Sequence, residues 1–164
     1  MDLILGLKQY IFNAFREIFV YNHSSLEFRA KVFALVIAAD ENANEQSFNI
    51  CKELCLDIYK GDDERANLLL LNTKELVKKV HETNGLDLDT LITNIQKELK
   101  ITPRYAKKID VESMRALLKL TIDRDTLAYQ ESILAFLQDL KDETLHTKKD
   151  EIDESEKIIN KIKG

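Results

Sequence analysis

Five carboxylates in two short stretches are the residues of this chain best suited to chemistry. Asp40, Glu41 and Glu45 lie in "ADENANEQS" and Asp123 and Asp125 in "IDRDT", each directly after an apolar run. Hard cations such as Ca2+ or Mg2+ take several oxygen ligands, so carboxylates from two converging turns would supply a site. Neither stretch has the spacing of an EF-hand loop, so the site needs both. A local role competes with this one: Asn42, Asn44 and Asp125 cap helices, and the remaining carboxylates stand in water.

Other reactive side chains are few. Cys51 and Cys55 stand four positions apart, which stacks them on one helical face at a Cβ separation of roughly 5–6 Å. That is too wide for a disulfide. His23, His81 and His146 hold no zinc-site spacing from them, and both thiols share a face with Phe48 and Ile58, so core packing is the expectation. No Ser, His and Asp grouping, Gly-rich phosphate loop or HExxH sequence occurs. Nucleophilic, phosphoryl-transfer and zinc-hydrolase chemistry therefore have no footing.

The elements that position these residues are helical. The chain has 164 residues, 45% of them apolar, with only four Gly and one Pro. Such a length and apolar share suit one domain with a real core, while scarce turn residues and abundant Leu, Ala, Lys and Glu point to an all-α fold. A net charge of −5 argues against binding to nucleic acid or to an anionic bilayer. The richest basic stretch, Lys97 to Lys108, is too thin to reverse that.

Residues 2–21 read as an amphipathic helix through Leu3, Leu7, Ile11, Ala14, Phe15 and Ile18. Ser24 and Glu27 form a capping-box signature for a second helix to about Ala39, with a stripe of Leu26, Ala30, Phe33 and Ile37. A third carries Phe48, Cys51, Cys55 and Ile58, capped by Asn42 or Asn44 and stopped by Gly61. A fourth runs through Ala66, Leu69, Leu70, Val77 and Val80 to a stop at Asn84 and Gly85. Asp87 caps a fifth with Leu88, Leu91, Ile95 and Leu99, and Pro103 starts a short sixth. Asp110 caps a seventh with Val111, Met114, Leu118 and Ile122, and an eighth presents Ile133, Leu137 and Leu140. From residue 143 the chain is densely charged, and Leu145, Ile152 and Ile159 recur every seven residues as a sparse helical seam. The expected organisation is a bundle of about seven to eight helices over residues 1–142, with a charged helical tail over 143–164.

Setting Asp40 against Asp123 aligns "VFALVIAADENANEQSFNICKEL" with "RALLKLTIDRDTLAYQESILAFL", so Ile50 meets Ile133, Cys51 meets Leu134 and Leu54 meets Leu137. Two helix pairs read as halves of a pseudo-repeat. At these junctions the chain resembles the TerB-like family of tellurite-resistance and DnaJ-like co-chaperone-associated helical domains. Their halves each carry an "ALxxADGxxxxxE" kind of pattern. The matching residues are Ala34, Leu35, Ala39, Asp40 and Glu45 in the first half, and Leu117, Leu118, Asp123 and Asp125 in the second. Glu41 and Arg124 stand where the family has Gly, and Ala128 where it has an acidic residue. The single Pro follows Thr102, so there is no His-Pro-Asp triplet and the chain is not itself a J-domain.

The resemblance implies a bacterial, stress-associated, non-catalytic module that binds a protein partner, with a divalent cation between the acidic junctions. A small metal-dependent hydrolase using the same carboxylates is the alternative. Phe12, Phe15, Phe19 and Tyr21 give the first helix more apolar surface than one stripe needs. It either covers the bundle or docks on another chain or, less favoured by its low positive charge, a membrane surface. No signal peptide or spanning segment is evident, so the expectation is a cytoplasmic protein. Self-association is a further use for the tail seam.

Overall fold

A computed structural model describes residues 24–82 and 86–163 of the chain. The helix expected over residues 2–21, the Ser24 cap side chain and the Asn84–Gly85 stop lie outside the described residues. Those residues form six α-helices and two 3-10 segments, with no strand among them.

The fold is built around its first described helix. In α1 (Ser24–Ala38) every residue from Val32 to Ala38 is buried, as are Leu26, Phe28 and Ala30. A helix that is apolar on all sides belongs inside a structure rather than on its surface. The single stripe expected from Leu26, Ala30, Phe33 and Ile37 is therefore only part of its buried surface. The polar residues Glu27, Arg29 and Lys31 keep partial access to solvent near its start, and Lys31 Nζ reaches Glu98 Oε2 at 3.0 Å.

α1 packs on α3 (Asp63–His81), α4 (Leu88–Ile101), α6 (Arg124–Lys163) and the 3-10 segment Pro103–Lys108, while α2 (Glu45–Ile58) packs on α3 and the short α5 (Val111–Met114) on α6. The most extensive packing is between α1 and α3, where Ala66, Leu69 and Val77 supply the buried face. From α4, Leu91, Ile95 and Leu99 are buried at the spacing the sequence predicts. Asn44, not Asn42, caps α2: its Oδ1 accepts the Gln46 N–H, and Ser47 Oγ accepts the Asn44 N–H. Asp62 caps α3 and Asp87 caps α4 by the same chemistry. Gly61 takes φ +81 in the turn between α2 and α3, a conformation that side-chain-bearing residues resist.

Two expectations are corrected in the second half. Pro103–Lys108 is a 3-10 segment, and the helix capped by Asp110 lasts only from Val111 to Met114 before tightening to 3-10 over Arg115–Leu118. A closing turn in which Thr121 N–H donates to the Leu118 carbonyl follows. Ile122 thereby leaves the helical register and is 97% exposed. The other concerns the end of the chain: the eighth helix and the tail are one element, the 40-residue α6. No Gly or Pro interrupts residues 124–163, so nothing stops the helix once it has started. Packing continues past residue 142, through Leu145 on the core and Lys148 in a neighbouring groove. Every residue from 149 to 163 is exposed. No described helix is long and apolar enough to cross a membrane.

Candidate functional site

The two acidic junctions are tied together by a neutral amide. Gln130, on α6, is 1% exposed. Its Nε2 donates to the Val36 carbonyl at 3.0 Å, and its Oε1 accepts the Thr121 hydroxyl at 2.6 Å. Val36 precedes Asp40 in the last turn of α1, and Thr121 precedes Asp123 at the entry to α6. The last carbonyls of a helix lack partners of their own. Here Val36 is served by Gln130, Ile37 by the Asp40 N–H at 3.1 Å, and Ala38 by His81 Nε2 at 3.1 Å. Because a carbonyl only accepts, that contact requires the proton of His81 on Nε2.

The five carboxylates have local roles or none. Asp40 Oδ1 accepts the Asn42 N–H at 2.9 Å, and its own carbonyl accepts the Ala43 N–H, so Asp40 folds the turn after α1. Asp123 caps α6: its Oδ2 accepts both the backbone N–H and the hydroxyl of Thr126. The Thr126 N–H is the main cause holding the Asp123 carboxyl below its ordinary pKa of 3.8, and the hydroxyl adds to it. Glu41, Glu45 and Asp125 are exposed. Asp125 stands in the first turn of α6, where a negative charge suits the helix dipole.

These uses differ between the junctions. Asp40 ends one helix, while Asp123 begins another, and the counterpart of Asp123 as a cap is Asn44, with Ser47 answering to Thr126. The matched register is thus four residues from the one that pairs Asp40 with Asp123. Four residues are about one helical turn, which is why both registers align buried faces. No group of three or more His, Cys, Asp and Glu able to hold a metal ion occurs among the described residues. A cation between the junctions would also compete with the hydrogen bonds that fold them.

Cys51 and Cys55 are both free and buried in α2. Their contact, then burial, pushes the Cys51 thiol far above its ordinary value, so it is protonated at neutral pH and is neither a nucleophile nor a soft ligand.

Among the clefts of the described residues, two of the larger lie on the body, and none of the five carboxylates lines either. One, of about 550 Å3, lies between α4 and α6 against Leu99, Pro103 and Leu140. The other, of about 400 Å3, lies between α1, α2 and α5 and carries Arg29, Lys60 and Lys108 on its walls. This second group could not be read from the sequence, because its members come from three separate segments. Gln130 did leave a signal: it is the one polar residue at a core position between Leu127 and Leu134, where a buried side chain needs hydrogen-bond partners. The chain gives no significant match to protein-family models, to curated proteins or to solved structures.

Proposed function

We propose that the protein is a non-catalytic helical interaction module whose projecting helix end receives a helix of another chain. The observation that carries this reading is the apolar stripe on the free end of α6. Ile152, Ile158, Ile159 and Ile162 are 49%, 53%, 49% and 80% exposed, and they fall within about a third of the helix circumference. Branched apolar side chains set in a charged helix are the ordinary means by which one helix receives another. The kinship with TerB-like, stress-associated domains and the pseudo-repeat of helix pairs belong to the same proposal, and they rest on the junction pattern around Asp40 and Asp123 in the sequence. Neither the cation nor the hydrolase reading gains support from the geometry, since the described residues bring no three His, Cys, Asp or Glu side chains together to hold an ion.

The test uses the full chain and an Ile152→Asp, Ile159→Asp variant, both exposed positions, as baits in an extract of the native cell. The expected result is a retained protein that the variant loses, with the Tm of the two baits equal. Equal retention by both would remove the stripe from the account. Light scattering separates a heterologous partner from self-association, which would double the mass of the pure chain and not of the variant.

A further inference from the structure

We propose that the cleft between α1, α2 and α5 binds a small organic phosphate. Its floor is apolar, made by Val32, Phe33 and Met114, all buried, with Leu54 and Ile58 beside them. Its rim is cationic, with Arg29 from α1, Lys60 from the turn after α2 and Lys108 from the 3-10 segment. Arg65 and Arg104 stand close enough to this rim that, with Arg29, they act on the Lys108 ammonium. In a chain of net charge −5, a convergence of cations from four elements is against the general trend of the molecule.

Among the described residues, Arg29, Lys60, Arg104 and Lys108 form no ion pair. Two guanidiniums stand against one aromatic ring: Arg29 and Arg65 lie 5.9 and 5.0 Å from the centroid of Tyr59. Such contacts fix a guanidinium over a ring. Two acidic residues share the cleft, Asp57 and Asp110. Asp110 is engaged as the cap of α5, accepting the Ser113 N–H at 3.2 Å and the Ser113 hydroxyl at 2.6 Å. Burial and the neighbouring guanidiniums Arg29, Arg104 and Arg65, in that order, lower the pKa of Lys108. Like charges gathered at one rim disfavour a further charged ammonium there, while Arg29 also acts on the Asp110 carboxylate across the cleft.

The ligand class follows from shape and charge. A volume of about 400 Å3 suits a small molecule rather than a macromolecular surface. One carboxylate is satisfied by a single guanidinium, whereas donors arriving from several directions match a tetrahedral, doubly charged group. The apolar floor calls for a hydrocarbon or aryl body attached to that group. A free phosphate ester and a lipid phosphate headgroup share this chemistry.

Phenyl phosphate is the probe, titrated into the full chain with Tm and 1H–15N amide shifts as readouts, against sodium chloride at equal ionic strength. The expected result is a saturable rise in Tm, with shifts confined to residues around Arg29, Tyr59 and Lys108, that chloride does not reproduce. Lys60→Ala and Lys108→Ala should each weaken apparent affinity about tenfold, in line with loss of one charge-assisted contact. Lys60 is exposed, so its removal leaves the fold intact and keeps the test decisive if Lys108→Ala is less stable. No saturable response, an equal response to chloride, or unchanged affinity in the Lys60 variant would overturn the proposal. Sedimentation with phosphatidic acid vesicles distinguishes the sources: capture that phenyl phosphate displaces assigns the site to a headgroup, and no capture assigns it to a free ester.

Discussion

Gln130 joins two backbone segments through one side chain, and its value lies in what would be stranded without it. Gln130→Leu keeps the volume but leaves the Val36 carbonyl without its donor and the Thr121 hydroxyl without its acceptor. Buried groups left in that condition cost about 1–3 kcal/mol. The expected outcome in urea unfolding is a lower midpoint with an unchanged slope. A neutral result would mean that water replaces the amide. At this scale the sequence drew attention to the carboxylates of the two junctions and not to Gln130 between them. Asp40 and Asp123 are conspicuous because carboxylates are charged, yet their oxygens are consumed by N–H groups within three residues. An amide in an apolar stripe is a quieter signal, and its partners are 94 and 9 positions away.

Helix starts are local chemistry: Asp87 and Asp110 were legible as caps, whereas α6 is capped by Asp123 and not by Asp125, the cap the sequence offered, because the Thr126 N–H reaches the Asp123 carboxylate. Asp87, Asp110 and Asp123 each precede a helix and accept N–H groups from its first turn. Those bonds, led by the Thr90 N–H, the Ser113 hydroxyl and the Thr126 N–H respectively, lower all three carboxyl pKa values below 3.8. The sign follows directly. The folded state binds fewer protons than the unfolded one, so the stabilisation is complete above 3.8 and is lost as pH falls through the depressed values. A plot of Tm against pH should therefore fall on the acid side. Replacing all three by Asn, which caps without titrating, should flatten that limb; an equal fall in the triple variant would assign the acid sensitivity elsewhere. Helix ends and burial depend on distant neighbours, and there the sequence was a poorer guide. The α1 stripe widened to a helix buried on every side from Val32 to Ala38 because α3, α4 and α6 pack on it, and Ile122 was lost to a turn that no single residue announces.

The molecule as a whole depends on α1. Leu35 is completely buried at its centre, and Leu35→Ala should cost about 2–5 kcal/mol, a large share of the roughly 5–15 kcal/mol that holds a domain together. A loss of less than about 1 kcal/mol in chemical denaturation would show that α1 is not the keystone. Charge is distributed at the same scale. Acidic residues dominate the sum, while Arg29, Lys60 and Lys108 gather in one cleft only after α1, α2 and the 3-10 segment have docked. A basic stretch from Lys97 to Lys108 could be seen beforehand, but a pocket made from residues 29, 60 and 108 exists only in the folded chain.

The continuity of α6 has a mechanical consequence. Its 40 residues make a rod of about 60 Å, carried on the body as far as residue 148 and bare over residues 149–163. Because no hinge residue separates the two parts, a molecule gripping Ile159 takes hold of a crank rather than a tether. Torque applied at the bare end passes through the backbone ladder to Gln130, and from there to the closing turn of α1.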